Sequence, residues 1–192
     1  MRTIIDLLRH GEPEGGNMYR GSGTDHSLSE RGWQQMWAAI EGKGGWDAIV
    51  TSPMSRCHAF ASAVAEKYGL PLEVIPDLRE AGYGAWEGLR PEDIQATQPE
   101  AYRALYADPL HCRPQGAEPL ETFAQRVTQA FAQVQEQYAG KHILLVSHAG
   151  TMRAIAVHLL GAPITAQQRI SLSFAAFFAV HQDDFKGVQL VF

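Results

Sequence analysis

The sequence predicts an α/β fold built on a mostly parallel sheet, and three observations carry that prediction. Short β-branched runs alternate with longer stretches of helical period, the pattern of strands joined by crossover helices. The 192 residues are 45% hydrophobic, enough apolar material for one sizeable core in a single domain spanning 1–192. The last two strand candidates are separated only by HQDDFKG, a connection short enough for an antiparallel hairpin.

The strands are expected at TIIDLL from Thr3, DAIVT from Asp47, LEVI from Leu72, HILLVS from His142, SFAAFFAV from Ser173 and VQLVF from Val188. A first helix is expected from SLSE, where Ser27 and Glu30 stand three apart as a capping box, towards Gly42. A second should follow in SPMSRCHAFASAVAEKYG, with Ser52 as cap, Pro53 in the first helical position and Gly69 past the end. From Leu120, apolar residues recur at Phe123, Ala124, Val127, Ala130, Phe131, Val134 and Tyr138, one face of a long amphipathic helix. Between Glu80 and Pro119 the period weakens and turn residues crowd, so a helical and looped insertion over the sheet edge is expected at about 80–119.

A formal net charge of -5 argues against a sequence-independent nucleic-acid surface, which needs clustered Lys and Arg. Cys57 and Cys112 are in no metal-type spacing and form no disulfide framework, which fits a reducing cytosol. The apolar run in MRTIIDLLRHG is too short for a membrane span or a signal segment, so a cytoplasmic protein without membrane contact is expected.

The chemically unusual residues fall where strands end. Arg9 and His10 follow the first strand, Arg56 lies in the first helical turn after the second, Glu80 follows the third and His148 the fourth. In an open α/β sheet ligands bind at that edge, so four segments can deliver side chains to one crevice. Two imidazoles with two guanidiniums make an anion site, and the planar arginine fork suits phosphate oxygens. The helix beginning at Gly150 and Thr151 adds backbone N–H donors at its N-terminus. Neutral imidazole is a nucleophile towards phosphorus at neutral pH, and Glu80 supplies a carboxyl group for proton transfer.

The blocks LLRHGE, HSLSERG, IVTSPMSRCHAFA, LREAGYGAWEG and LLVSHAGTMRAI resemble, in order, the signature blocks of the histidine phosphatase superfamily, also called phosphoglycerate mutase-like. The resemblance implies a three-layer α/β/α fold with a mixed six-stranded sheet and one antiparallel strand. It makes His10 the nucleophile that becomes a phosphohistidine and Glu80 the proton donor, while Arg9, Arg56 and His148 hold the phosphoryl group. No metal or organic cofactor is implied. The expected partner is a small-molecule phosphomonoester, with homodimer formation left open.

Within the family, chain length and LREAGYGAWEGL favour a phosphatase over a mutase and resemble the phosphatases that act on α-ribazole 5′-phosphate. Broad-specificity and sugar phosphatases share those blocks. Tyr83, Trp86, Tyr102 and Tyr106 are available for stacking on a base, or for the core, with Trp86 expected in the core. Pro13 stands where the family has threonine, Asn17 comes one residue later than the usual asparagine, and QGAEP replaces Gly-Gly-Glu-Ser. Asn17, Gly23, Glu118 and Thr151 are carried as substrate-binding candidates, and Gly11 is expected to let the backbone pass close to the phosphate. His58 should face away from Arg56, and the remaining histidines have the default reading of polar structural residues. Two readings of other kinds compete: a zinc hydrolase, disfavoured by two arginines in one pocket, and a non-catalytic phospholigand-binding module.

Overall fold

The computed structural model describes residues 2–192. Six strands, β1 (Arg2–Arg9), β2 (Ala48–Thr51), β3 (Leu72–Val74), β4 (His142–Ser147), β5 (Phe177–Asp183) and β6 (Gly187–Val191), form one sheet in the order β3-β2-β4-β1-β5-β6. Strands β3, β2, β4 and β1 pair in parallel, whereas β5 runs antiparallel to both β1 and β6. The sheet is therefore mixed, with β5 as its single reversed strand. Insertion of β4 between β2 and β1 makes the switch in strand order beside which an open sheet leaves a crevice at its carboxyl edge.

Alternation along the central strands explains the three layers. Ile5, Leu7, Ile143 and Leu145 face α5 (Leu120–Gln137) and α6 (Ala149–Leu159), packing on Phe123, Val127, Phe131, Met152 and Ile155. Leu8, Leu144 and Val146 point the other way, onto Met36, Phe60 and Val64 of α1 (Glu30–Ala39) and α2 (Ser55–Tyr68). Fully buried side chains such as Phe60, Phe123 and Phe131 contribute roughly 1.5–3 kcal/mol each through burial. The stretch after Glu80 holds the short helices α3 (Pro91–Thr97) and α4 (Pro99–Ala107), whose Ile94 and Leu105 pack around Trp86 in a core of their own.

Three element boundaries differ from the sequence reading, each for a local reason. Helix α1 is capped by Ser29 rather than Ser27: Ser29 Oγ accepts from Gly32 N at 3.0 Å and donates to the Glu12 carbonyl at 2.8 Å, tying the helix to the loop after His10. Helix α2 starts at Ser55 with Met54 as N-cap and no side-chain cap, because the Ser52 hydroxyl is engaged by His148. Residues 173–176 form a turn rather than the start of β5, with Ala175 at φ 55 and its N–H donating to the His10 carbonyl at 3.2 Å. That turn lays Phe174 over the end of β1.

Gly11 also has a packing role. A Cβ there would lie 2.2 Å from the carbonyl oxygen of Gly32, and one on Gly32 would lie 2.1 Å from that of Glu12. The two glycines let helix α1 rest directly on the backbone that follows His10, with no side chain between them.

Candidate active site

A cavity of about 370 Å³ opens at the carboxyl edge of β1 and β4. Arg9, His10, Arg56 and Glu80 line it, together with Asn17 at its exposed rim. His148 is fully buried behind this lining, its ring edge-on to that of His10 with centroids 5.3 Å apart. Four segments distant in sequence thus converge, as strand-end placement requires.

The protonation of His10 follows from its partner. Its Nδ1 lies 2.7 Å from the Gly11 carbonyl oxygen, which can only accept, so the proton sits on Nδ1 and the lone pair on Nε2. Burial, then the charges of Arg56 and Arg9, push the His10 pKa well below its ordinary value. The ring is neutral at pH 7, with a nucleophilic nitrogen available.

His148 is placed by Ser52. The serine Oγ accepts from Met54 N at 3.3 Å and lies 2.7 Å from His148 Nε2, and since its hydroxyl has no other nitrogen or oxygen acceptor among the described residues, its proton goes to that nitrogen. His148 therefore carries its own proton on Nδ1. Burial, followed by the charge of Arg56, lowers its pKa well below the usual histidine value. The Cys57 thiol packs on the same ring, Sγ lying 3.6 Å from Nε2, while its S–H donates to the Ser147 carbonyl at 3.3 Å. Burial raises its pKa, so it stays a thiol.

The arginines are anchored from behind. Arg56 donates to the carbonyls of Gly21 at 2.8 Å and Thr24 at 3.1 Å; Arg9 donates to Leu172 O at 2.6 Å and lies 4.3 Å from the Phe174 ring centroid. In both, Nε is buried without a hydrogen-bond partner. Burial above all lowers Arg9 to about 10, so it remains charged at neutral pH. Two guanidiniums held from behind at the floor of a cavity suit the oxygens of an anion.

Glu80 sits across the floor. Its carboxylate accepts from Ala81 N at 2.9 Å and Gly150 N at 3.0 Å, so it occupies the N-terminus of α6. A Cβ at Gly150 would lie 2.2 Å from Glu80 Oε1, so only glycine leaves room for this carboxylate. Arg126 of α5 fixes the Glu80 segment by donating to the carbonyls of Asp77, Arg79 and Glu80 at 2.7 to 3.0 Å.

Three of the substrate candidates do not reach the cavity. Glu118 forms a bidentate pair with Arg126 at 2.7 and 2.8 Å, and although burial pushes its pKa up, those bonds hold it below the ordinary carboxylate value. Thr151 is fully buried and its hydroxyl lies 3.3 Å from the carbonyls of Leu78 and Arg79. Gly23 packs against the Glu87 carboxylate, which binds Tyr83 N at 2.9 Å. All three brace the walls.

The sequence reading missed Arg20, Arg153, Tyr19 and Phe174, all of which line the cavity. Arg153 was legible in principle, since it stands four residues after Ala149 on the helix face turned to the site. Arg20 is buried in a loop with no strand before it, bonded to Glu14 O at 2.6 Å and His26 Nδ1 at 3.3 Å. Among the described residues no three His, Cys, Asp or Glu side chains are grouped so as to hold a metal ion. Nor is any helix among them long and apolar enough to cross a membrane.

Four arginines around one carboxylate, with two neutral imidazoles at the switch point of an α/β sheet, define a protein built to hold a phosphate-like anion. The chain belongs to the histidine phosphatase superfamily (branch 1), whose family model matches residues 5–191. It is 33% identical to a bifunctional protein of Mycobacterium tuberculosis over 98% of this chain and 53% of that one, so it spans about half the length of that relative. Phosphoserine phosphatase 1 of Hydrogenobacter thermophilus is 30% identical over 96% of this chain and 89% of its own. The crystal structure of the α-ribazole phosphatase from Shigella flexneri superposes with a TM-score of 0.84 at 27% identity, covering 99% of this chain and 94% of that one.

Proposed function

We propose that the chain hydrolyses phosphomonoesters through a phosphohistidine on His10. The observation that carries this reading is the Nδ1 contact of His10 with Gly11 O, which leaves Nε2 as a lone-pair nitrogen in a cavity lined by the guanidiniums of Arg9 and Arg56. Nε2 attacks phosphorus as the ester P–O bond breaks, and the Glu80 carboxyl group protonates the departing alkoxide. Water then attacks phosphorus, giving a proton to the Glu80 carboxylate as the P–N bond breaks and inorganic phosphate leaves. Arg9, Arg56 and the Nδ1–H of His148 stabilise charge on the transferring group, and such preorganised donors supply most of the catalysis in phosphoryl transfer.

For the substrate we put α-ribazole 5′-phosphate first. The reading is supported by the likeness to a structure of that activity and by a wall of Tyr19, Tyr83, Tyr102 and Tyr106 along the cavity, suited to a planar base. A second reading, a phosphomonoester with a further acidic group, is favoured by Arg153, whose side chain has no hydrogen-bond or ion-pair partner among the described residues.

Trapping with radiolabelled substrate tests the chemistry. Acid-labile, base-stable label on the protein is expected, unaffected by chelator and abolished in His10→Ala. Chelator-sensitive turnover without label would support a metal hydrolase instead, and tight phosphate binding without turnover a non-catalytic module.

A further inference from the structure

The turn at residues 173–176 does more than lead into β5. Leu172, just before it, packs against the core on the α5 and α6 side of the sheet, whereas Ala175 and Phe177 pack against the core on the other side. The chain therefore crosses over the carboxyl end of β1, and Phe174 lies on that crossing. Backbone bonds fasten the crossing to both residues at the strand end: Arg9 N donates to Ala176 O at 2.9 Å, and Ala175 N to His10 O at 3.2 Å. Ala175, at φ 55, is the one non-glycine residue with a left-handed backbone among the described residues. Alanine is unfavourable in that conformation, which persists only where the surrounding structure imposes it, often beside a functional site.

The reversal at Ala175 places one ring. Phe174 is half-buried and lines the cavity, its centroid 4.3 Å from the guanidinium carbon of Arg9 and 6.0 Å from the centroid of the His10 ring. Arg9 has little else to hold it among the described residues. Its Nη1 donates to Leu172 O at 2.6 Å and its Nε is buried without a hydrogen-bond partner, so Nη2 is the donor left for an anion. A guanidinium held by one hydrogen bond can swing about it. A ring face stops the swing, because the cation is drawn to the negative face of the aromatic quadrupole.

We infer that Phe174 is a positioning residue for Arg9: its ring fixes the guanidinium in the orientation in which Nη2 meets an oxyanion bound against His10. The phenyl ring acts on that anion through the arginine it holds. A guanidinium already ordered loses less freedom when the anion arrives, so the ring raises affinity by preorganisation. The inference rests on the proposed phosphatase reading only in taking the anion to be a phosphoryl group.

Calorimetric titration of the full chain with inorganic phosphate tests this without requiring turnover. Phe174 is replaced in turn by mono-, di- and trifluorophenylalanine, which draw charge from the ring face with little change of shape. Phosphate affinity should fall stepwise along that series. The trifluoro ring should approach Phe174→Leu, which is expected to bind phosphate about 3- to 30-fold more weakly, the range of a cation–π contact. Phe174→Tyr, which keeps the ring, should retain most of the native affinity. Equal affinity along the fluorinated series, whether or not leucine lowers it, would make the ring a space-filler and overturn the inference. A stepwise fall combined with failure of phosphohistidine trapping would remove the phosphatase reading and leave the role of Phe174 standing. A flat series with trapped phosphohistidine would do the reverse.

Discussion

Ser52 Oγ lies 2.7 Å from His148 Nε2, the one nitrogen or oxygen acceptor for its hydroxyl among the described residues, and this contact sets the tautomer of His148. Ser52 is a positioning residue: it acts on the phosphoryl group only through the ring it orients.

Ser52→Ala should therefore lower kcat by about 10- to 100-fold, the cost of one charge-directed hydrogen bond, with a smaller change in KM. Loss of a donor to Nε2 also removes an interaction that favours neutral imidazole, so the acid limb of the pH–rate profile should move to higher pH. Ser52→Thr should restore much of both. An unchanged profile in the alanine variant would mean that the serine only fills space.

Glu80 and Gly150 give a second prediction. Because a Cβ at 150 meets Glu80 Oε1, Gly150→Ala should displace the carboxylate and mimic Glu80→Gln. Both should cost about 10²-fold or more in kcat with an alkyl phosphate, the usual range for a general acid. The loss should be much smaller with p-nitrophenyl phosphate, whose leaving group departs without a proton. Equal losses on the two substrates would place Glu80 outside leaving-group protonation.

The buried imidazoles make stability depend on pH in a definite direction. His10 and His148 have depressed pKa values in the folded protein and unperturbed values of about 6.5 when unfolded. Between those limits the unfolded chain binds more protons, so stability is full above about pH 6.5 and is lost as pH falls, by up to about 1.4 kcal/mol per pH unit for each ring. Urea midpoints from pH 8 to 5 should fall accordingly, and His10→Gln should flatten the slope. A phosphate analogue that binds the folded site should raise the midpoints at each pH.

Gly32→Ala should destabilise the protein by about 2–4 kcal/mol through overpacking against Glu12, read as a lower Tm. Arg31→Ala, an exposed neighbour, should change it little.

Much of the site was legible because strand ends are legible. Arg9, His10, Glu80 and His148 each follow an apolar run, and Arg56 follows a helix start, so topology alone brings them together. Thr151 and Glu118 also stood in the right blocks, but a side chain's direction depends on what packs behind it: the carbonyls of Leu78 and Arg79 draw the threonine away, and Arg126 claims the glutamate. Arg20 and Tyr19 were hidden for the converse reason. Their loop has no period, and it reaches the cavity by bonds such as that from Tyr19 N to Leu89 O, which join segments far apart in sequence. The choice of Ser29 over Ser27 as cap was equally non-local, since the Glu12 carbonyl receives the Ser29 hydroxyl. Composition and helical period correctly gave the long helix α5, whose buried face includes Leu120, Phe123, Val127, Phe131 and Val134.

Arg126 grips the backbone on the sheet side of Glu80 and, through Glu118, the far end of the stretch containing α3 and α4. Both feet of that stretch are thereby clamped to the same arginine on α5. The cover over the cavity is in effect an interchangeable fitting: its length and aromatic content can be redrawn between the clamps while the proton donor keeps its station. A descendant of this chain could acquire a new substrate by rewriting residues between Gly84 and Pro114 without relearning the chemistry beneath.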